Sequence, residues 1–185
     1  INNSKLRLSN SRFIGSNANW INLLENAQAT VADCVFKEVY GDMISLKTCI
    51  NAGGKSKIDI NNSQFTGCAS IYIRLFENAQ ANIINSMFED PFDLDQETYK
   101  IHFLNHIPYR ISVGGSSKLT MNNSQFMGIR TRCIDLSEKA QTIITNCVFR
   151  ECSGYSCILA NDESEIYVAN NQLLHKYLNK IKYLN

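Results

Sequence analysis

Six of the nine phenylalanines in this chain fall in one phase of a repeat. They are Phe13, Phe36, Phe65, Phe88, Phe126 and Phe149, and Leu173 continues the series, at spacings of 23, 29, 23, 38, 23 and 24 residues. A unit of 23 residues that takes loop insertions in alternate copies accounts for the series. A fixed period of this size means stacked units, because one unit cannot bury its apolar face alone.

Other positions keep the same phase. Three residues before each ring position stands an Asn or Asp, namely Asn10, Asp33, Asn62, Asn85, Asn123, Asn146 and Asn170. Five residues before stands an aliphatic residue or Met: Leu8, Val31, Ile60, Ile83, Met121, Ile144 and Val168. Two residues before, the side chain is small or polar: Ser11, Cys34, Ser63, Ser86, Ser124, Cys147 and Asn171. A second apolar pair follows the ring, as Ile21-x-Leu23, Ile44-x-Leu46, Ile73-x-Leu75, Ile134-x-Leu136 and Ile158-x-Ala160.

Alternation such as Leu6-x-Leu8 has period two and marks a strand with both side chains inward. The Asn after it suits a sharp bend, because Asn tolerates the left-handed backbone and its amide can bond the Asn one coil up. Each unit then reads as three short strands separated by bends, and coils stacked at ~4.8 Å pair every backbone group with its neighbours. The openings Ser4-Lys5-Leu6, Ser56-Lys57-Ile58 and Ser117-Lys118-Leu119 mark a two-coil block repeated three times. Its even coils carry insertions ending in Gly53-Gly54 and Gly114-Gly115.

The pattern Ile-x-Ile-x-Asn-Ser-x-Phe followed by Ile-x-Leu resembles the right-handed parallel β-helix of the pectin-lyase-like superfamily. The likeness runs from about residue 5 to 173. It implies an all-β solenoid of about seven coils, on a scaffold that superfamily members use as lyases, hydrolases, adhesins and phage tailspikes. The alternating Phe and Gly-Gly coils also resemble bacterial and protist surface repeat proteins. The expected organisation is a β-helix over 1–173 and a helical cap or linker over 174–185. In that tail Leu174, Leu178, Ile181 and Leu184 lie at helical spacing, with Lys176, Lys180 and Lys182 between them. An amphipathic helix there would cover the end of the stack. The start at Ile1-Asn2-Asn3, already in repeat phase, is expected of a segment cut from a longer protein.

A net charge of +1 gives no basic footprint for nucleic acid. No apolar run is long enough to span a bilayer. The seven cysteines contain no Cys-x-x-Cys pair, so their spacing suits disulfides better than a zinc knuckle. Cys34 and Cys147 share the small inward row and are expected to be packed thiols. Cys133 and Cys157 occupy equivalent places in neighbouring coils, within disulfide range, and Cys152 offers Cys157 a competing partner.

Enzymes of the resembled superfamily act on acidic polysaccharides at the outward face of the strand series containing Ile21 and Leu23. Parity places Trp20, Met43, Tyr72, Lys100, Cys133 and Cys157 in one outward row. The next holds Asn22, Ser45, Arg74, His102, Asp135 and Leu159. Arg74, His102 and Asp135 on successive coils would form a lyase-like site, with Ca²⁺ on the acidic loop through Asp90, Asp93 and Asp95. The bland reading is three unrelated surface residues beside a solvated loop. For coil four, Ile111-Ser112-Val113 competes with Ile101-His102-Phe103 for the strand. Neither Asp-Asp nor Gly-His-Gly, which the resemblance associates with hydrolases, occurs in the chain.

Trp20 and Tyr72, two coils apart, could stack on sugar rings as a lectin surface. Asn2, Asn61 and Asn122 each begin an Asn-Asn-Ser glycosylation sequon, and Asn61 and Asn122 share an outward row. The expectation is a non-catalytic structural or adhesive segment of a larger extracellular or cell-surface protein or fibre, needing no cofactor. Its partners would be polysaccharide, other surface proteins or further coils of its own kind. The alternative is a polysaccharide lyase or carbohydrate-binding β-helix.

Overall fold

The computed structural model describes residues 3–15, 20–37, 48–67, 71–90, 109–152 and 156–174, and the backbone of the strand Lys182–Leu184. Its strands form three parallel sheets of seven strands each, and every sheet takes one strand from each successive coil. Coil three shows the plan. Lys57–Asn61 lies in the first sheet, Gln64–Thr66 in the second and Ile71–Leu75 in the third. Among the described residues there is no helix.

The Asn/Asp row makes the bend between the first two strands. All seven of its residues have positive φ, from 48° at Asn62 to 55° at Asn170. An L-residue other than Gly visits this region at least cost when it is Asn or Asp. Their side chains are exposed, so the bend orders the surface and not the core. Of the expected amide ladder, Asn62 Nδ2 donates to Asp33 Oδ1 at 3.3 Å, whereas Asn146 Nδ2 reaches Asn122 instead, at 2.9 Å.

The next residue carries a buried ladder that runs through the stack. Ser63 Oγ donates back to Asn61 O at 2.9 Å and accepts the Cys34 N–H at 3.2 Å. Ser86 Oγ accepts the Ser63 N–H, and Ser124 Oγ accepts the Ser86 N–H, each at 3.2 Å. Cys147 Sγ then accepts from Ser124 N–H, and Asn171 Oδ1 accepts from Cys147 N–H. The kinked backbone turns these N–H groups away from a sheet partner, and a small side chain one coil on satisfies each of them. Inside, the phenylalanine rings stack face to face from Phe13 to Phe149, with centroids 4.7–5.0 Å apart.

The third turn repeats as strictly. Glu25, Gly54, Glu77, Gly115, Glu138 and Asp162 all have positive φ; the first five lie two residues after the last strand position of their coil, and Asp162 directly follows Asn161. At Gly115 a Cβ would lie 2.5 Å from the Glu77 carbonyl oxygen, so coil four needs glycine at this close approach.

This turn sets the register of the third sheet, and three sequence expectations change with it. Ile21 pairs with Ile50 and Leu23 with Ala52, so the coil-two strand is Thr48–Ala52 and not the Ile44-x-Leu46 pair. In coil four Ile111 pairs with Ile73 and Ile134, which gives the strand to Tyr109–Val113 over the segment containing His102. Both insertions therefore precede the third strand instead of following it. The helical cap over 174–185 is also corrected. Leu174 ends the strand Gln172–Leu174, and Lys182–Leu184 is a strand on Leu159–Asn161, completing coil seven. Pairing the exposed edge of the third sheet satisfies its backbone groups, which an amphipathic helix would leave unpaired. Leu178 and Ile181 lie outside the described residues.

Candidate functional site

The outward row of the third sheet is Asn22, Asn51, Arg74, Ser112, Asp135 and Leu159. Ser112, not His102, stands between Arg74 and Asp135, and His102 lies outside the described residues. The expected trio on successive coils is thus corrected. Asp135 accepts a 3.0 Å bond from Arg132, and burial lifts its carboxyl above the usual range against the pull of that guanidinium. Arg74 leans its guanidinium over the Phe76 ring at 5.9 Å. Asn51 Nδ2 donates to Asn22 Oδ1 at 3.0 Å.

The preceding row is not outward. It runs Trp20, Cys49, Tyr72, Arg110, Cys133 and Cys157, and all but Trp20 are buried. Parity fails here because the strands enter the third sheet through a bulge. Cys157 O accepts both Cys133 N–H, at 2.9 Å, and Ile134 N–H, at 3.0 Å. Two donors against one acceptor leave the first residue out of the ladder and turn its side chain into the corner. The sugar-stacking expectation fails on this point. Tyr72 packs between Phe65 and Phe88, at 5.9 and 6.0 Å. Trp20, half-buried, packs on Phe13 and Phe36.

The middle of this corner holds a buried charged network. Arg110 Nη2 meets Asp90 Oδ2 at 2.6 Å, and the guanidinium lies over the Tyr72 ring at 5.3 Å. Arg130 N–H donates to the same Asp90 oxygen at 3.4 Å. The Tyr72 hydroxyl lies 2.6 Å from Gly67 O, 2.8 Å from Glu89 O and 3.3 Å from Asp90 Oδ1. Burial raises the Asp90 carboxyl, outweighing Arg110, and raises the Tyr72 phenol further, with Asp90 adding to the effect. Asp90 is therefore no ligand on a solvated calcium loop. Burial and the Arg110 charge both oppose that role. Asp93 and Asp95 lie outside the described residues. Arg110 escaped the sequence reading because its row was counted from the competing strand.

A family profile described as the right handed beta helix region matches residues 1–173. The chain belongs to the right-handed β-helix family. No curated protein and no solved structure gives a significant match. In this β-helix no helix of the described residues is long and apolar enough to cross a membrane.

Farther along the same corner, the β-helix brings three thiols together. Cys133, Cys152 and Cys157 place their sulfurs within 4.8 Å of one another, with Cys133 Sγ 3.6 Å from Cys152 Sγ. All three are buried, and the structure carries them as thiols, not as the expected Cys133–Cys157 or Cys152–Cys157 disulfide. Sequence placed Cys133 and Cys157 together correctly but set them facing outward. Burial pushes the Cys133 thiol well up. At Cys152 the hydrogen bond with Cys133 pulls down, but the bond with Cys157 and burial outweigh it.

On the β-helix surface, carboxylates of the third turn cap backbone donors. Glu77 Oε2 accepts Gly54 N–H at 2.6 Å, and Asp162 Oδ2 accepts Glu138 N–H at 3.0 Å. A shallow groove between Glu77, Glu138 and Asp162 follows from that capping. Asn61 and Asn122 are half-buried, two coils apart in one row of the first sheet, with Ile84 between them. Their sequon serines, Ser63 and Ser124, are the buried ladder hydroxyls. Asn2 lies outside the described residues.

Proposed function

We propose that this β-helix is a non-catalytic structural or adhesive segment of a larger extracellular or cell-surface protein or fibre. The observation that supports the reading is the outward row of the third sheet. It offers one carboxylate, Asp135, already engaged by Arg132, and two asparagines bonded to each other. Depolymerising an acidic polysaccharide needs a base positioned on the sugar, with a cation or arginine to hold the uronate. Arg74 and Asp135 stand two coils apart, ~10 Å, with a serine between them.

The outward face of the first sheet suits adhesion. One row along it reads Lys5, Gln28, Lys57, Gln80, Lys118, Gln141 and Glu165, polar at every coil. Such a regular rigid face can meet an extended polysaccharide or another surface protein with little ordering cost. Secretion through an N-glycosylating pathway would modify Asn61 and Asn122. With Ser63 and Ser124 sequestered by the fold, the sugar must be added before the coils close.

The test is incubation of purified protein with polygalacturonate and with alginate, with and without Ca²⁺, following unsaturated products by absorbance. No release is expected. Release that disappears in Arg74→Ala would replace this reading with the lyase alternative.

A further inference from the structure

Two groups of cysteines in this interior differ in their surroundings. Cys34 and Cys147 stand singly in the row that Ser63, Ser86 and Ser124 share, and each hydrogen-bonds back to the carbonyl two residues earlier. There a thiol does what a serine does. Cys133, Cys152 and Cys157 come from different places. Cys133 belongs to the third strand of coil five, Cys157 immediately precedes that of coil six, and Cys152 follows the second strand Val148–Arg150. At the corner position of Cys133 and Cys157, coil two carries Cys49, coil three Tyr72 and coil four Arg110, so no small-residue rule explains the thiols. Close packing requires no convergence of three sulfurs from two rows.

The geometry points to a site for one thiophilic d¹⁰ metal ion, Cu(I) or Zn(II), held by Cys133, Cys152 and Cys157. Metal–sulfur bonds of ~2.3 Å place three sulfurs about 4 Å apart around a trigonal ion. The observed separations, 3.6 Å for one pair and within 4.8 Å for all, match that triangle with little movement. Among the described residues the cluster of metal-ligating groups consists of these three sulfurs. An all-thiolate set selects soft ions over Mg²⁺ and Ca²⁺. Three ligands suit Cu(I), whereas Zn(II) favours a fourth. Burial holds the Cys133 thiol protonated at neutral pH, and the bond with Cys157 together with burial does the same for Cys152. Binding therefore exchanges S–H bonds for S–metal bonds and releases protons to solvent, up to three if every thiol ionises. Affinity should rise with pH. No electron transfer is involved when the metal is supplied as Cu(I) or Zn(II).

The whole protein, reduced and kept anaerobic, would be titrated with Cu(I) buffered by a chromophoric chelator, and in a second arm with Zn²⁺. Metal per chain after desalting would be measured by elemental mass spectrometry, and the ligand shell of the loaded protein by X-ray absorption. One equivalent is expected, with a shell of sulfur at about 2.3 Å. Three sulfurs and no further ligand would identify Cu(I) as the fitting ion, and an added lighter ligand would identify Zn(II). Cys133→Ser and Cys152→Ser should lose the ion while Cys34→Ser and Cys147→Ser keep it. The absorption measurement needs no variant, so a Cys133→Ser protein that failed to fold would not block the test. Folded wild type that retains neither metal would overturn the site. So would a shell dominated by nitrogen or oxygen, or undiminished retention in Cys152→Ser. A native chain carrying a disulfide between two of the three would do the same.

Discussion

Arg110 and Asp90 meet at 2.6 Å with 0% and 2% of their side chains exposed, and the other buried polar side chains among the described residues are serines and threonines. Asp90 directly follows the second strand of coil four, Met87–Glu89, and Arg110 is the second residue of the third, Tyr109–Val113. The pair thus joins the two ends of the insertion that separates those strands. It also ties coil four to coil three through Tyr72 and to coil five through Arg130 N–H.

Breaking this pair should be costly, and replacing it should not. Arg110→Met alone strands a buried carboxylate and should destabilise by about 3–5 kcal/mol. Arg110→Met with Asp90→Leu should recover most of that loss, because the desolvation of both charges disappears. Urea unfolding of the two singles and the double closes the cycle. A double variant no more stable than either single would show that the pair is worth more than its desolvation.

Phe65 sits mid-ladder, stacked on Phe36 at 4.7 Å and Phe88 at 5.0 Å. Phe65→Ala should cost about 3–5 kcal/mol through the cavity it opens. Leu24→Ala, at a side chain 49% exposed, should cost well under about 1 kcal/mol. Comparable midpoint shifts for the two would contradict the inward assignment of the ring ladder.

At Asn62, φ is 48° and the side chain is exposed, so the residue contributes backbone conformation more than burial. Asn62→Ala should cost about 1–2 kcal/mol. Asn62→Gly should cost less, since glycine accepts positive φ freely. Thermal melting of both variants decides it, and equal losses would assign the effect to the bond with Asp33.

Ser86 Oγ is the acceptor for Ser63 N–H in a site without access to water. Ser86→Ala strands that donor and should cost about 1–3 kcal/mol. Ser86→Cys should lie close to wild type, because Cys147 already serves as acceptor in the same row. Chemical denaturation of the pair is the check, and a neutral Ser86→Ala would mean that the N–H finds another partner.

Alkali should weaken the metal-free protein. The Cys133 and Cys152 thiols are raised in the folded chain, so above about pH 8.5 the unfolded chain loses protons that the native state keeps. Their contribution is complete below that pH and declines as pH rises, by about 1.4 kcal/mol per pH unit for each thiol ionised only in the unfolded state. Urea midpoints from pH 7 to about 10 should show a slope that Cys133→Ser reduces. An unchanged slope would place the alkaline loss elsewhere.

Much of this architecture was legible without coordinates. The bend at Asn10 through Asn170, the aliphatic and phenylalanine rows and the count of seven coils are properties that each residue carries locally. Positive φ is cheapest at Asn, and period-two alternation survives any change in loop path. What lay beyond reach begins where the insertions do. Counting forward across the variable corner put Ile44, Leu46 and His102 in the stack. Counting back two residues from the turn at Gly54 and Gly115 would have found Ile50-x-Ala52 and Ile111-x-Val113.

The sheet-entry bulge was invisible for a further reason. It depends on two N–H groups sharing the carbonyl of Cys157, an interaction between coils that no single unit encodes. The same break in register, at Cys49 against Tyr72 and at Arg110 against Cys133, turned Tyr72 from a surface ring into a core ring, seated Arg110 against Asp90, and brought Cys133 and Cys157 to Cys152. The completion of coil seven by Lys182–Leu184, in place of a helix, has the same origin. A repeat determines by itself which side chains face the core. Where a loop returns to the stack, only the tertiary structure decides which residues meet, because the chain path there answers to backbone pairing with the next coil.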